Sequence, residues 1–175
     1  INNINFIQMD ILDLKDFGKN FELIESVGVL HHMDDPYKGW QTLSNILKPH
    51  GLMMIGLYSK RAREHIIRIR ENIKKIYNEI NQKNIKAFRE KIIFSDNNDD
   101  LLIKQSPDFY TLSSLKDLLF HVQEHRFSIS EINNNINKLN LKFCGFESRE
   151  IVNLFKKINK NNEDIYNLNL WDKFE

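Results

Sequence analysis

The sequence predicts an α/β fold with a helical insertion, and three observations carry it. Residues 4–59 alternate β-leaning stretches with a capped helix, the pattern of parallel α/β units. From Lys60 the isoleucines step by four and three, which is helical. A late apolar stretch, LKFCGFES at 141–148, reads as a strand after the helical part.

In order, INFIQ at 4–8 alternates apolar and polar residues and suits a short strand. Asp10 and Asp13 stand where that strand should end. LKDFGKN is too short for a crossover helix, so one tight helical turn must serve there. FELIESVGV at 21–29 is apolar enough for a buried strand. Asp34, Asp35 and Pro36 read as an N-cap with proline in the first turn, starting a helix to about Leu47. Trp40, Leu43, Ile46 and Leu47 form its apolar face. LMMIGLYS at 52–59 is the next strand. Ala62, Ile66, Ile69, Ile73, Ile76 and Ile80 then mark one long amphipathic helix. Residues 94–100 read as a loop, 112–125 as a helix capped by Thr111 or Ser113, and 129–140 as a helix capped by Ser128 or Ser130. The tail, 150–175, is helical or irregular. These elements divide the chain into an α/β part at 1–59, a helical insertion at 60–128, a returning helix and strand at 129–149, and the tail.

Composition narrows the function classes. The chain has 175 residues, 41% of them hydrophobic, enough for a real core. A net charge of +1 signals neither a nucleic acid nor a membrane partner. The basic residues on 60–75 offer a face for phosphates, but Glu64 and Glu71 are interleaved with them, the pattern of a solvated face. One cysteine, Cys144, excludes an intrachain disulfide framework and makes a reducing cytoplasm the default. No apolar run approaches the roughly 20 residues of a membrane span.

Two histidine-bearing stretches invite a metal reading. HVQEH at 121–125 matches His-x-x-Glu-His: on a helix, His121 and His125 share a face and Glu124 is a candidate base for a zinc hydrolase. The match is short, and no downstream segment offers a third ligand, so no metal is assigned. His31 and His32 sit in VLHHMDDP. On an extended segment adjacent side chains point to opposite sides, which speaks against two ligands to one ion.

NFIQMDILDL, FELIESVGVLHHMDDP and LKPHGLMMIGLYS together resemble the class I S-adenosylmethionine-dependent methyltransferases, at their third, fourth and fifth strands. DFYTLSSLKDLLFHVQEHRFS and LNLKFCGFE resemble the members that bacteria join to tetratricopeptide repeats. The resemblance implies a partial Rossmann-like methyltransferase sheet, third to fifth strands plus one late strand, with residues 1–59 as the C-terminal half of the cofactor-binding core and 60–128 as a lid or substrate-side insertion. It implies S-adenosylmethionine as cofactor, a methyl-acceptor substrate of unknown class, and repeats in the same parent chain.

In an open parallel sheet, ligands bind beyond the C-terminal strand ends. The resemblance places Asp10 at the adenine amine and the Ile11 N–H at a ring nitrogen. Asp10 has a second reading, as a cap of its own turn. Ser26, Val27 and Gly28 end the central strand, where a small residue lets the cofactor approach the backbone. Leu30 and His31 flank the adenosine or sulfonium side, leaving His32 and Met33 to inter-element packing, or the reverse. Candidate bases are His31, Tyr58, His121 and His125. Tyr58 reads equally well as a packing residue.

Two departures qualify the resemblance. The family holds the methionine part of its cofactor with a glycine-rich loop after its first strand, and the six glycines here include no G-x-G. His50 stands where the family has glycine in a turn that favours positive φ. The expectation is a fragment truncated at both ends, with little cofactor affinity of its own. The competing reading is a non-catalytic α/β fragment or interaction module.

Overall fold

A computed structural model describes residues 3–77, 81–120, 123–159 and 162–175. The chain divides into two compact units, 1–58 with 125–175, and 59–124. Each has its own apolar core.

The first unit is built on two parallel strands, β1 (Phe21–Val27) and β2 (Leu47–Gly56). Helix α1 (Pro36–Asn45) connects them, packed against a 3-10 turn at Ile11–Asp16 and another at Leu30–His32. The capping signal is realised: Asp35 Oδ1 accepts the Lys38 N–H at 3.2 Å and Pro36 is the first helical residue. Trp40, Leu43 and Ile46 are buried as their spacing requires. Gly39 lies inside α1 because the helix passes very close to the Leu30–His32 turn. A β-carbon there would fall 2.4 Å from Met33 Sδ and 2.9 Å from Leu30 Cδ2.

Several expectations need correction. Residues 4–8 are exposed and join no ladder among the described residues. Alternation reports a two-faced segment, but a strand persists only where a neighbour pairs its backbone. Strand β2 begins at Leu47 and ends at Gly56, not 52 to 59. Its register against β1 jumps: β1 advances from Phe21 to Leu23 while β2 advances from Leu47 to Leu52. The bulge contains Pro49, and His50 at φ +64°, the left-handed conformation foreseen for that turn. Residues 141–148 form no strand; this stretch leads from the helix at Ile129–Lys138 to the helix at Arg149–Ile158, with Phe143 and Phe146 packed edge to face.

In the second unit, α2 (Glu64–Ile76) and α3 (Gln82–Ile93) are followed by α4 (Asn98–Lys104), a 3-10 turn at Pro107–Phe109 and α5 (Leu112–Phe120). Ile66, Ile69 and Ile73 enter the core as their spacing predicts, while Ile76 is half exposed and Ile80 lies outside the described residues. The expected helix of 60–80 therefore starts later and stops at Ile76. Helices α3 and α4 had no counterpart in the sequence reading. They start at asparagine caps, Asn81 Oδ1 accepting from the Asn84 N–H at 2.9 Å and Asn97 Oδ1 from Asp99 at 2.8 Å. Thr111, not Ser113, caps α5.

One carboxylate organises the end of this unit. Glu124, 1% exposed, receives both Arg63 Nε and Nη2 at 2.9 Å and Arg70 Nη2 at 3.1 Å. Arg70 also donates to the Leu118 carbonyl at 3.0 Å. On the surface, Arg68 forks onto Asp99 at 2.7 and 2.8 Å and holds its carboxyl below the usual carboxylate range. Burial pushes the nearby His65 down.

The chain then returns to the first unit. Helix α6 (Ile129–Lys138) opens with a capping box between Ser128 and Glu131. Helix α7 (Arg149–Ile158), a 3-10 turn at Asn162–Tyr166 and α8 (Leu168–Phe174) complete it. Phe155 stacks on Trp171 at 3.9 Å between centroids, and Trp171 Nε1 donates to the Ile165 carbonyl at 2.9 Å.

Three outcomes follow. Gly39→Ala adds about 1 kcal/mol of helix propensity, yet overpacking costs about 1–3 kcal/mol; urea unfolding should show net destabilisation, largely relieved in a Met33→Ala background. Glu124→Gln leaves two mostly buried guanidiniums without their anion and should destabilise the helical unit by about 3 kcal/mol, read in the same way. Acid should weaken that unit in two windows. His65 binds its proton less readily folded than unfolded, so stability falls as pH drops below about 6.5. Asp99 is depressed by Arg68, so the stability it contributes is lost as pH falls from about 3.8 through its lower folded value. Thermal melts of His65→Gln should lose the upper window and keep the lower.

Candidate functional site

Because β1 and β2 are parallel, their C-terminal ends lie at one edge of the sheet. Ser26, Val27 and Gly28 close β1 there, and the Leu30–His32 turn follows. Tyr58 leaves β2 at the same edge. The segment 125–127 is bonded across both exits: the His125 N–H donates to the His31 carbonyl at 2.7 Å, and the Phe127 N–H to the Tyr58 carbonyl at 2.8 Å. His31, Tyr58 and His125, three of the four candidate bases, therefore share one rim. The fourth, His121, lies outside the described residues.

The two histidines do not point to opposite sides. They occupy a 3-10 turn, not an extended segment, and their rings are 4.2 Å apart. His31 is the deeper, 1% exposed, with its ring 4.0 Å from that of Tyr58 at 34°. His32 meets Tyr58 edge to face at 6.3 Å and is only half-buried. Of these three rings, those of Tyr58 and His32 are the more accessible.

The other predicted residues fall as follows. Asp10 caps the Ile11–Asp16 turn, its Oδ1 accepting the Leu12 N–H at 2.8 Å. The capping reading is therefore realised, and Oδ2 makes no further bond among the described residues. The Ile11 N–H opens that turn, where no intrahelical acceptor exists. Ser26 is 6% exposed and its Oγ has no hydrogen-bond partner among the described residues, a costly state for a buried hydroxyl. Val27 is exposed and Leu30 fully buried. Gly28 sits at φ +76° with nothing within 4 Å of where a β-carbon would stand.

These residues fit S-adenosylmethionine only in part. The unpartnered Ser26 hydroxyl, the open space at Gly28 and the spare Asp10 oxygen suit the adenosine part: one buried polar atom awaits a partner, and a bare backbone can be approached. Nothing here corresponds to the glycine-rich loop for the methionine part.

The metal reading fails on geometry. Glu124 and His125 lie in non-helical backbone at 123–126, so helical periodicity does not place His125. Glu124 is committed to two arginines and is unavailable as a base. The sequence placed Trp40 on a buried helix face; its Nε1 is also without a partner among the described residues, and an indole on an apolar face gives no sequence signal for that.

Residues 1–55 match the family model described as a methyltransferase domain. The chain is also 27% identical over 154 residues to an uncharacterized protein of Synechococcus sp., an alignment covering 84% of this chain. The chain spans 37% of that relative's length. Its first third is thus similar to methyltransferase domains.

Proposed function

We propose that this chain supplies the adenosine-side rim of an S-adenosylmethionine-dependent methyltransferase. The observation that carries the reading is the buried, unpartnered Ser26 hydroxyl beside Gly28, at the C-terminal edge of a parallel strand pair, inside the stretch similar to methyltransferase domains. The strand pairing supports it. In the doubly wound order 3-2-1-4-5, strands 4 and 5 are neighbours and strand 3 touches only strand 2. Residues 21–27 and 47–56 pair, while 4–8 pair with neither.

When bound, S-adenosylmethionine would supply an electrophilic sulfonium methyl, the sulfur departing as a thioether on displacement. Asp10 accepts from the adenine amine through its spare oxygen while Oδ1 holds the turn. Ser26 offers its hydroxyl to the nucleoside, and Gly28 leaves room for it. Tyr58 faces the acceptor. His31 supports the Tyr58 ring from below, and His125 holds the His31 loop through its backbone. Displacement needs aligned partners and a dry pocket more than a covalent group, so these residues position more than they react. Tetratricopeptide repeats in the same parent chain belong to this proposal.

Titration of the ¹⁵N-labelled chain with adenosine should move the amides of Ile11, Leu12 and 26–30, and Asp10→Ala should abolish those shifts. L-Methionine alone should move none of them. Absence of adenosine shifts would overturn the reading in favour of an interaction module. Calorimetry should find no micromolar affinity for S-adenosylmethionine; a micromolar constant would overturn the need for a glycine-rich loop.

A further inference from the structure

Helix α7 carries more apolar surface than its own unit uses. Phe155 is fully buried against Trp171 and Phe174, with Val152 partly buried beside it. Ile151, Leu154 and Ile158 are 49%, 52% and 65% exposed. Their spacing, i, i+3 and i+7, puts them on one line along the helix, next to the buried face but turned from it.

The charges beside that line are ordered. Glu150 and Lys157 are seven residues apart, so they too share a line, immediately flanking the apolar one on its solvent side. Both are exposed and neither has an ion-pair partner among the described residues. The acid is at the N-terminal end and the base at the C-terminal end.

We propose that α7 pairs antiparallel with α7 of a second copy of this chain, about a two-fold axis at Leu154. Leu154 then meets Leu154 of the other copy, Ile151 meets Ile158, and Glu150 meets Lys157. All three pairings are centred within half a residue of the same point, so one axis satisfies the apolar line and the charges together. A symmetric contact is self-complementary by construction, and this is the flanking-charge logic by which paired helices choose partner and direction. A parallel arrangement would set Glu150 against Glu150 and Lys157 against Lys157. With one short helix per copy the interface is small, so the dimer is weak and reversible.

Sedimentation velocity on the whole chain, from about 10 to about 500 µM, tests this. The expected result is reversible dimerisation, abolished by Leu154→Glu. Glu150→Lys and Lys157→Glu should each weaken self-association at least about tenfold, because each creates two like-charge contacts. An equimolar mixture of those two variants should dimerise like the unaltered chain, since both contacts become opposite-charge again. Leu52→Glu, on the exposed face of the sheet, should change nothing. A monomer at every concentration, failure of the mixture to dimerise, or loss of the dimer with Leu52→Glu would each overturn the proposal.

Discussion

The parallel pairing of Phe21–Val27 with Leu47–Gly56 is the constraint on which the candidate site depends. Parallel strands need a crossover, and α1 with its flanking turns provides it. The crossover must return over the sheet within a short span, so α1 is drawn tightly onto the Leu30–His32 turn, and only a glycine fits at position 39. The same pairing sends both strands out at one edge, where Tyr58 and His31 stack and 125–127 bonds across them. An antiparallel pair would have put these exits at opposite ends.

What could be read in the sequence was what local chemistry decides. The Asp35 cap, Pro36 and the buried line of Trp40, Leu43 and Ile46 follow from capping and helical spacing alone. So does the isoleucine face of α2, while the cap of α6 was narrowed only to Ser128 or Ser130, and the structure selects Ser128. Positive φ at His50 was legible only through the resemblance, which has glycine at that turn. What failed depended on partners. Residues 4–8 alternate properly but pair with no strand among the described residues, and 141–148 are apolar but serve as a packed connection. Helix α3 went unread because its buried residues, Ile85, Phe88 and Ile92, are embedded in lysine and asparagine that resemble a polar link.

The histidine motif shows the same dependence. His-x-x-Glu-His means zinc only when a helix puts both imidazoles on one face and leaves the glutamate to water. Here the backbone at 123–126 is not helical, and Arg63 and Arg70 take both carboxylate oxygens of Glu124. A carboxylate buried this deeply is stable only as part of such a cluster. The residue with the most catalytic-looking sequence context is thus the anchor of a helical unit. Its partners, Arg70 in the middle of α2 and Arg63 just before it, come 54 and 61 positions earlier, which no short motif could reveal.

Burial then redistributes the roles at the rim. His31 has the sequence position of a cleft residue but is almost wholly inside, sandwiched by contact with Tyr58 and held by its own carbonyl. A proton acceptor must come within hydrogen-bond reach of its substrate, and a ring covered by another ring does so only if that cover moves. Tyr58 and His32 are the outer members of the cluster and His31 its buried one. The buried imidazole is then best understood as the floor on which the Tyr58 ring is set, and the segment 125–127 as the clasp that keeps that floor in place.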